Sequence, residues 1–220
     1  MSARVEWLTV ASEPGAWRSI GLEVGDDGFV PLVGTSLRIV EPPPASSSPG
    51  EVDVGAPAGS GIVGWALSGI DLASGQGRID GLATEVVEPR TPVFAHHAIA
   101  ASGLDHVVVT TDDLERTSRA VESSTGCELK RIREVGAMRQ GFHRIGRGGL
   151  IVELVERAEH PEGPARFWGV VLNVDDLDAA CARLGDDRIS APKDAVQPGR
   201  RIATVRADVG LGLPVALMTP

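Results

Sequence analysis

His106 and Glu153 are the pair in this chain best suited to doing chemistry together. An imidazole and a carboxylate can pass a proton, and each can ligate a divalent cation. A repeat singles them out. Residues 104–115 (Leu-Asp-His-Val-Val-Val-Thr-Thr-Asp-Asp-Leu-Glu) return 63 positions later at 167–178 (Phe-Trp-Gly-Val-Val-Leu-Asn-Val-Asp-Asp-Leu-Asp), and 149–154 return without a gap at 212–217. A duplication with fixed spacing between its first and last segments implies one architecture built twice. The copies differ where chemistry would sit: copy two holds Gly169 and Ala216 in place of His106 and Glu153.

The elements that must position this pair follow from periodicity. Residues 106–110 are β-branched and read as a strand. Asp112 is expected to cap the next helix, with Glu115 at the capping-box position. Leu114, Ser118 and Val121 would face the sheet, and Gly126 would end the helix. Strands are expected over 127–135, 138–145 and 150–155, the last two joined by a glycine-rich hairpin, giving the order βαβββ. Copy two repeats this order, with strands over 169–174, near 189, over 201–207 and over 213–218, and a helix over 175–184.

Side chains alternate along a strand. His106, Val108 and Thr110 therefore share a face, as do Ile151, Glu153 and Val155. With a two-residue hairpin turn, Phe142 and Arg144 join the Glu153 face and His143 points away; a bulge would reverse that. Copy two contributes Gly169, Val171, Asn173, Ala207, Ala216 and Met218. A mainly apolar wall with a few polar groups is the make-up of a small-molecule pocket, and small residues would leave it room. His96, His97 and His160 fall in expected loops from which they could approach.

Paired βαβββ units with Asp-Asp-Leu helix starts, at 112–114 and 175–177, resemble the vicinal oxygen chelate superfamily of glyoxalase, bleomycin-resistance and dioxygenase type. The resemblance covers residues 103–218. It implies an α+β fold in which modules at 103–160 and 166–219 form curved mixed β-sheets around a cavity. It also implies a divalent metal (Zn, Ni, Mn or Fe), held by one His or Glu from the first and last strand of each module, and lyase or isomerase chemistry. His106 and Glu153 occupy the metal-ligand positions of copy one, with Glu153 as the catalytic base. Gly169 and Ala216 vacate those of copy two, whereas a zinc site ordinarily takes about three or four protein ligands. A metal is therefore expected to be absent rather than present. The alternatives are a metal-free protein that sequesters its ligand, as in the resistance branch, and an interaction module with no active site. The chain has no tyrosine, which disfavours the extradiol dioxygenase branch.

The first 100 residues resemble a degenerate domain of the same type, preceding the well-formed one at 101–220. Residues 5–14 match the first strand and helix start, 28–29 and 37–40 match later strands, and 64–72 resemble another strand and helix start. Trp7 and Val40 would then stand where His106 and Glu153 do. A Pro/Gly/Ala/Ser-rich loop is expected over 41–61.

Composition narrows the partners. A net charge of −9 without a Lys/Arg cluster excludes a general nucleic-acid binder and argues against anionic membranes. No apolar run approaches the ~20 residues of a membrane span, and no signal pattern opens the chain. Cys127 and Cys181 have no metal-site spacing and read as reduced thiols. The expectation is a cytoplasmic protein, from an arginine-rich and hence bacterial source, that binds a small molecule and pairs as a homodimer.

Overall fold

The computed structural model describes residues 2–42, 59–72, 77–157 and 162–220, which form two mixed β-sheets with few helices. The first sheet has six strands in the order β2-β3-β1-β4-β6-β5. These are β1 (Arg4–Ala11), β2 (Phe29–Val30), β3 (Ser36–Val40), β4 (Gly61–Ser68), β5 (Arg78–Ile79) and β6 (Leu82–Val86), with the short helix α1 (Pro14–Ser19) after β1. The second sheet has eight strands in the order β12-β13-β14-β11-β7-β10-β9-β8. Its first half is β7 (Ala101–Thr111), α2 (Leu114–Thr125), β8 (Leu129–Val135), β9 (Met138–Arg144) and β10 (Ile151–Arg157). Its second half is β11 (Arg166–Val174), α3 (Leu177–Leu184), β12 (Lys193–Asp194), β13 (Arg201–Thr204) and β14 (Val215–Met218).

The two halves of the larger sheet are built alike. β7 runs parallel to β10 with Val108 opposite Glu153, and β11 runs parallel to β14 with Val171 opposite Ala216. They meet along the antiparallel β7–β11 pair, where His106 faces Val171, Val107 faces Val170 and Val108 faces Gly169. A local two-fold axis therefore passes between Val107 and Val170. The smaller sheet repeats the scheme around its antiparallel β1–β4 pair, centred on Leu8 and Trp65.

Every one of these four first strands carries a β-bulge at the same place. The register shifts leave Glu6, Val63, Asp105 and Trp168 as the extra residues of β1, β4, β7 and β11. The residue beside each in the sequence is Trp7, Gly64, His106 and Gly169. A bulge interrupts strict alternation, so neighbouring side chains can meet on one side of the sheet.

α2 starts one residue later than the sequence suggests. Asp113, not Asp112, is the N-cap, and its carboxylate accepts from the Arg116 N–H at 2.8 Å. Asp112 instead accepts from the Gly163 N–H at 2.9 Å, and Glu115 pairs with Arg139 rather than closing a capping box. Asp176 caps α3 in the same way, accepting from the Ala179 N–H at 2.9 Å. Leu114, Ser118 and Val121 are buried against the sheet, and Gly126 ends α2 with φ +68°.

The third strand of the second half stops at Thr204, short of the expected 207. The chain turns there into a 3-10 helix (Ala207–Val209), closed by Gly210 with φ +81°, and Ile189 makes only an isolated bridge to Val205. In the smaller sheet no helix follows β4 among the described residues. The loop expected over 41–61 lies mostly outside the described residues.

One apolar core joins the sheets and includes Leu8, Trp17, Trp65, Val107, Val109, Leu154 and Leu217. Each fully buried aliphatic side chain contributes about 1.5–3 kcal/mol. Trp65 of β4 meets Phe167 of β11 edge-on at 5.4 Å. Across the same boundary Asp80, with φ +43°, accepts from Arg116 Nε at 2.9 Å and from the Thr117 hydroxyl, both on α2.

Candidate functional site

The bulge on β7 shapes the site. Because Asp105 is the extra residue, its carboxylate reaches the ring of its neighbour, with Oδ2 at 2.8 Å from His106 Nδ1. Asp105 Oδ1 pairs with Arg200 at 2.8 Å. Arg200 also donates to Asn173 Oδ1 and to the Thr219 carbonyl, at 2.7 Å each. On the other side of the ring, His106 Nε2 lies 3.3 Å from Glu153 Oε2, and the Gln140 amide donates to Glu153 Oε1 at 2.6 Å. The result is a polar line, Arg200–Asp105–His106–Glu153–Gln140, drawn from both halves of the sheet.

The carboxylates at its two ends differ in electrostatics. Burial alone would raise the pKa of Asp105, but hydrogen bonds and charge from His106 and Arg200 outweigh it and hold the group at about 2. Glu153 is shifted upward, chiefly by burial, with the nearby His106 only partly opposing this. The anchored Asp105 fixes His106 with Nδ1–H donating, an assignment that follows from its partners. Nε2 is then left facing Glu153 Oε2 at 3.3 Å.

A cavity of about 270 Å³ opens over this line. Its walls include His106, Val108, Thr110, Gln140, Glu153, Val155, Trp168, Val171 and Ala216. The structure therefore gathers His106, Glu153, Val108, Thr110, Val171 and Ala216 from the expected set. Met218 is buried beside Ile202 and Asn173 in the sheet register.

Other expected pocket residues lie elsewhere. Phe142 is opposite Glu153, as expected, but stacks under the Arg131 guanidinium at 4.9 Å. Arg144 is exposed and donates to the Gly149 carbonyl; with Ile151 and Asn173 it lines a separate cleft toward the smaller sheet. Ala207 is exposed on the 3-10 helix, because β13 has already ended. Gly169 is not there to leave volume: a Cβ would stand 2.6 Å from the Pro214 carbonyl oxygen. In the smaller sheet the register places Arg38, not Val40, where Glu153 stands, since Thr9 pairs with Arg38 as Val108 pairs with Glu153.

The remaining histidines stay apart. His143 points away from the cavity, bonded to Ser118 at 3.0 Å and to the Cys127 carbonyl at 2.9 Å, and burial lowers its pKa. His97 accepts from the Glu23 N–H and lies 2.7 Å from the Pro31 carbonyl. His96 is exposed, and His160 falls outside the described residues.

Four participants escaped the sequence reading: Asp105, Gln140, Trp168 and Arg200. Asp105 left a signal, a charged residue inside an apolar strand beside the histidine. Trp168 is its symmetry mate, at the same place in the repeat. Arg200 lies just before β13, in a stretch no pattern marked.

The donor set does not fit a resident metal. Among the described residues no three His, Cys, Asp or Glu groups converge on one point. Both His106 nitrogens face carboxylates, and Asp105 is committed to Arg200.

The architecture, two halves each built as βαβββ around a cavity, defines a class. Residues 103–207, which span most of the larger sheet, match the family model Glyoxalase/Bleomycin resistance protein/Dioxygenase superfamily. A triple mutant of 4-hydroxymandelate synthase from Streptomyces coelicolor shares the fold across 99% of this chain and 92% of that chain, with TM-score 0.64 and 14% identity. Methylmalonyl-CoA epimerase from Mycobacterium tuberculosis aligns with 58% of this chain and 93% of that chain, with TM-score 0.48 and 20% identity. No curated protein matches the sequence. No helix among the described residues is long and apolar enough to cross a membrane.

Proposed function

We propose that the protein binds a small, mainly apolar molecule in the cavity over β7, β10, β11 and β14, with Glu153 and His106 as its polar anchor and no metal ligand set. The carrying observation is the buried Glu153 carboxylate. It has a partial partner in His106 and an amide donor in Gln140, at the floor of a mainly apolar cavity that Thr110, Thr204 and Arg157 also line. A ligand hydroxyl or ammonium would complete its hydrogen bonding, and the ligand body would lie against Val108, Val155 and Trp168. This is the sequestering behaviour of the resistance branch rather than metal-dependent chemistry. Residues 1–100 we read as a degenerate domain of the same type, a reading supported by its two matching bulges.

The 3.3 Å approach of His106 Nε2 to Glu153 Oε2 favours one second reading, a lyase or isomerase in which Glu153 takes a proton from the bound molecule. It would exchange a ligand C–H for deuterium in D₂O, and simple sequestration would not.

The test is NMR of the Trp168 indole N–H, with p-cresol and phenethylamine as probes. Saturable shifts that weaken in Glu153→Gln are expected. A Trp168 signal unmoved by either probe at about 10 mM, a concentration that would reveal even millimolar affinity, would sink the reading.

A further inference from the structure

The smaller sheet holds a second cavity, of about 220 Å³, whose walls include Arg4, Glu6, Phe29, Leu32, Arg90 and Val93. It sits beside the bulge of β1, as the first cavity sits beside the bulge of β7. Its unpaired groups are donors. Arg90 lies flat on Phe29, its guanidinium carbon 3.7 Å from the ring centroid and 5.4 Å from that of Trp7. Stacking uses the face of the guanidinium and leaves its N–H edge available. That edge has no hydrogen bond or ion pair among the described residues. Trp7 packs edge-on against Phe29 at 5.5 Å, is 7% exposed, and its buried indole N–H also lacks a partner among the described residues.

The acceptors nearby are already engaged. The buried Glu6 carboxylate takes the Ser68 hydroxyl and the Arg90 backbone N–H, and Arg4 Nε lies 3.7 Å from it. Asp27, exposed at the rim and screened by water, accepts from the Phe29 N–H at 3.1 Å. Arg38, outside the cavity lining, lies 5.7 Å from the Phe29 centroid. A buried donor without an acceptor is costly, and a planar guanidinium edge matches a carboxylate through two parallel hydrogen bonds.

We propose that this cavity is a second binding site, for a small organic carboxylate held on the Arg90 edge above Phe29, with the buried Trp7 indole packed behind Phe29 as its reporter. The apolar walls at Leu32 and Val93 would take the body of the acid, so an aromatic or branched carboxylate fits better than an inorganic anion. The site is independent of Glu153 and His106, and each can fail without the other.

Benzoate, benzyl alcohol and inorganic phosphate are the probes, read by the indole N–H signals of Trp7 and Trp168 in the full chain. The expected result is a saturable shift of the Trp7 signal with benzoate. Benzyl alcohol should bind the wild-type site, and benzoate the Arg90→Gln site, about tenfold more weakly or worse than benzoate binds wild type, the scale of losing a charged hydrogen bond. The wild-type titration needs no variant to fold. The proposal is overturned if the Trp7 signal stays still at about 20 mM benzoate, a level sufficient for millimolar affinity. It is equally overturned if Arg90→Gln binds as well as wild type, if phosphate does as well as benzoate, or if only Trp168 responds.

Discussion

In each sheet the first half differs from the second in the same way. β1 and β7 place an acidic residue on the bulge and a ring after it, Glu6-Trp7 and Asp105-His106. β4 and β11 place an apolar residue on the bulge and a glycine after it, Val63-Gly64 and Trp168-Gly169. The first halves largely bury their carboxylates, each beside one arginine side chain, Arg4 at 3.7 Å from Glu6 and Arg200 at 2.8 Å from Asp105. The second halves left Val63 and Trp168 at 46% and 42% exposure and drew the neighbouring backbone in against glycine. The asymmetry is thus a division of labour within a symmetric frame: one half supplies polar anchors, the other close packing and an exposed apolar wall.

The sharpest way to break this comparison is to give the second half a side chain. In Gly169→Ala the new Cβ would meet backbone, the Pro214 carbonyl oxygen, at 2.6 Å, and this carbonyl, just before β14, is held by the Val170 N–H at 3.1 Å. A loss of about 3 kcal/mol in urea denaturation is expected. Gly64→Ala, with the Ala83 carbonyl at 3.0 Å, should lose less. If Gly169→Ala proves neutral, the glycine serves ligand volume after all, and Gly169→His becomes a plausible route to a metal site.

Removing the anchor of the first half comes next. Asp105→Asn keeps the shape and deletes the charge that Arg200 and His106 share. Because folding lowers the pKa of Asp105 from an ordinary 3.8 to about 2, the carboxylate contributes stability fully above pH 4. That contribution, about 2 kcal/mol, is lost as pH falls toward 2. Denaturation curves of wild type and Asp105→Asn should therefore differ at pH 7 and converge near pH 2. Parallel curves would mean that Asp105 is not the charged anchor.

Much of this was legible in the sequence because a repeat constrains a fold more tightly than any one segment. The βαβββ order, the inward face of α2 and the meeting of His106 with Glu153 all follow from spacing and alternation. What failed did so where alternation fails. A bulge adds one residue without a compositional mark, so strict alternation gives Asp105 and Trp168 no place at the site and leaves the anchor of His106 unseen. Ala207 was lost to a strand that ends early because Gly210 permits a tight turn. Arg200 is contributed by a loop, and a loop's reach is set by tertiary packing rather than by period.

Helix starts offer a control in which the halves should behave alike. Asp113→Ala and Asp176→Ala each remove one cap bond of nearly equal length, and each should cost about 1 kcal/mol by thermal denaturation. A much larger loss at Asp113 would show that the neighbouring Arg116–Asp80 contact with the smaller sheet depends on it.

The smallest expected effect has the opposite sign. Burial raises the pKa of Glu153, so its ionisation works against the folded state. Stability linked to this group is complete below the ordinary glutamate pKa and declines as pH rises through the raised folded value. Glu153→Gln removes the charge, keeps the size and can still bond Gln140. It should raise Tm at pH 7.5 by about 2 °C and leave it unchanged near pH 4. The same variant should weaken phenethylamine binding at the Trp168 cavity, since the ammonium loses its counter-charge. A group that costs stability while its removal costs binding is being kept for a ligand. If Glu153→Gln instead lowers Tm, the His106–Glu153 pair is holding the sheet together, and the first half differs from the second for structural reasons alone.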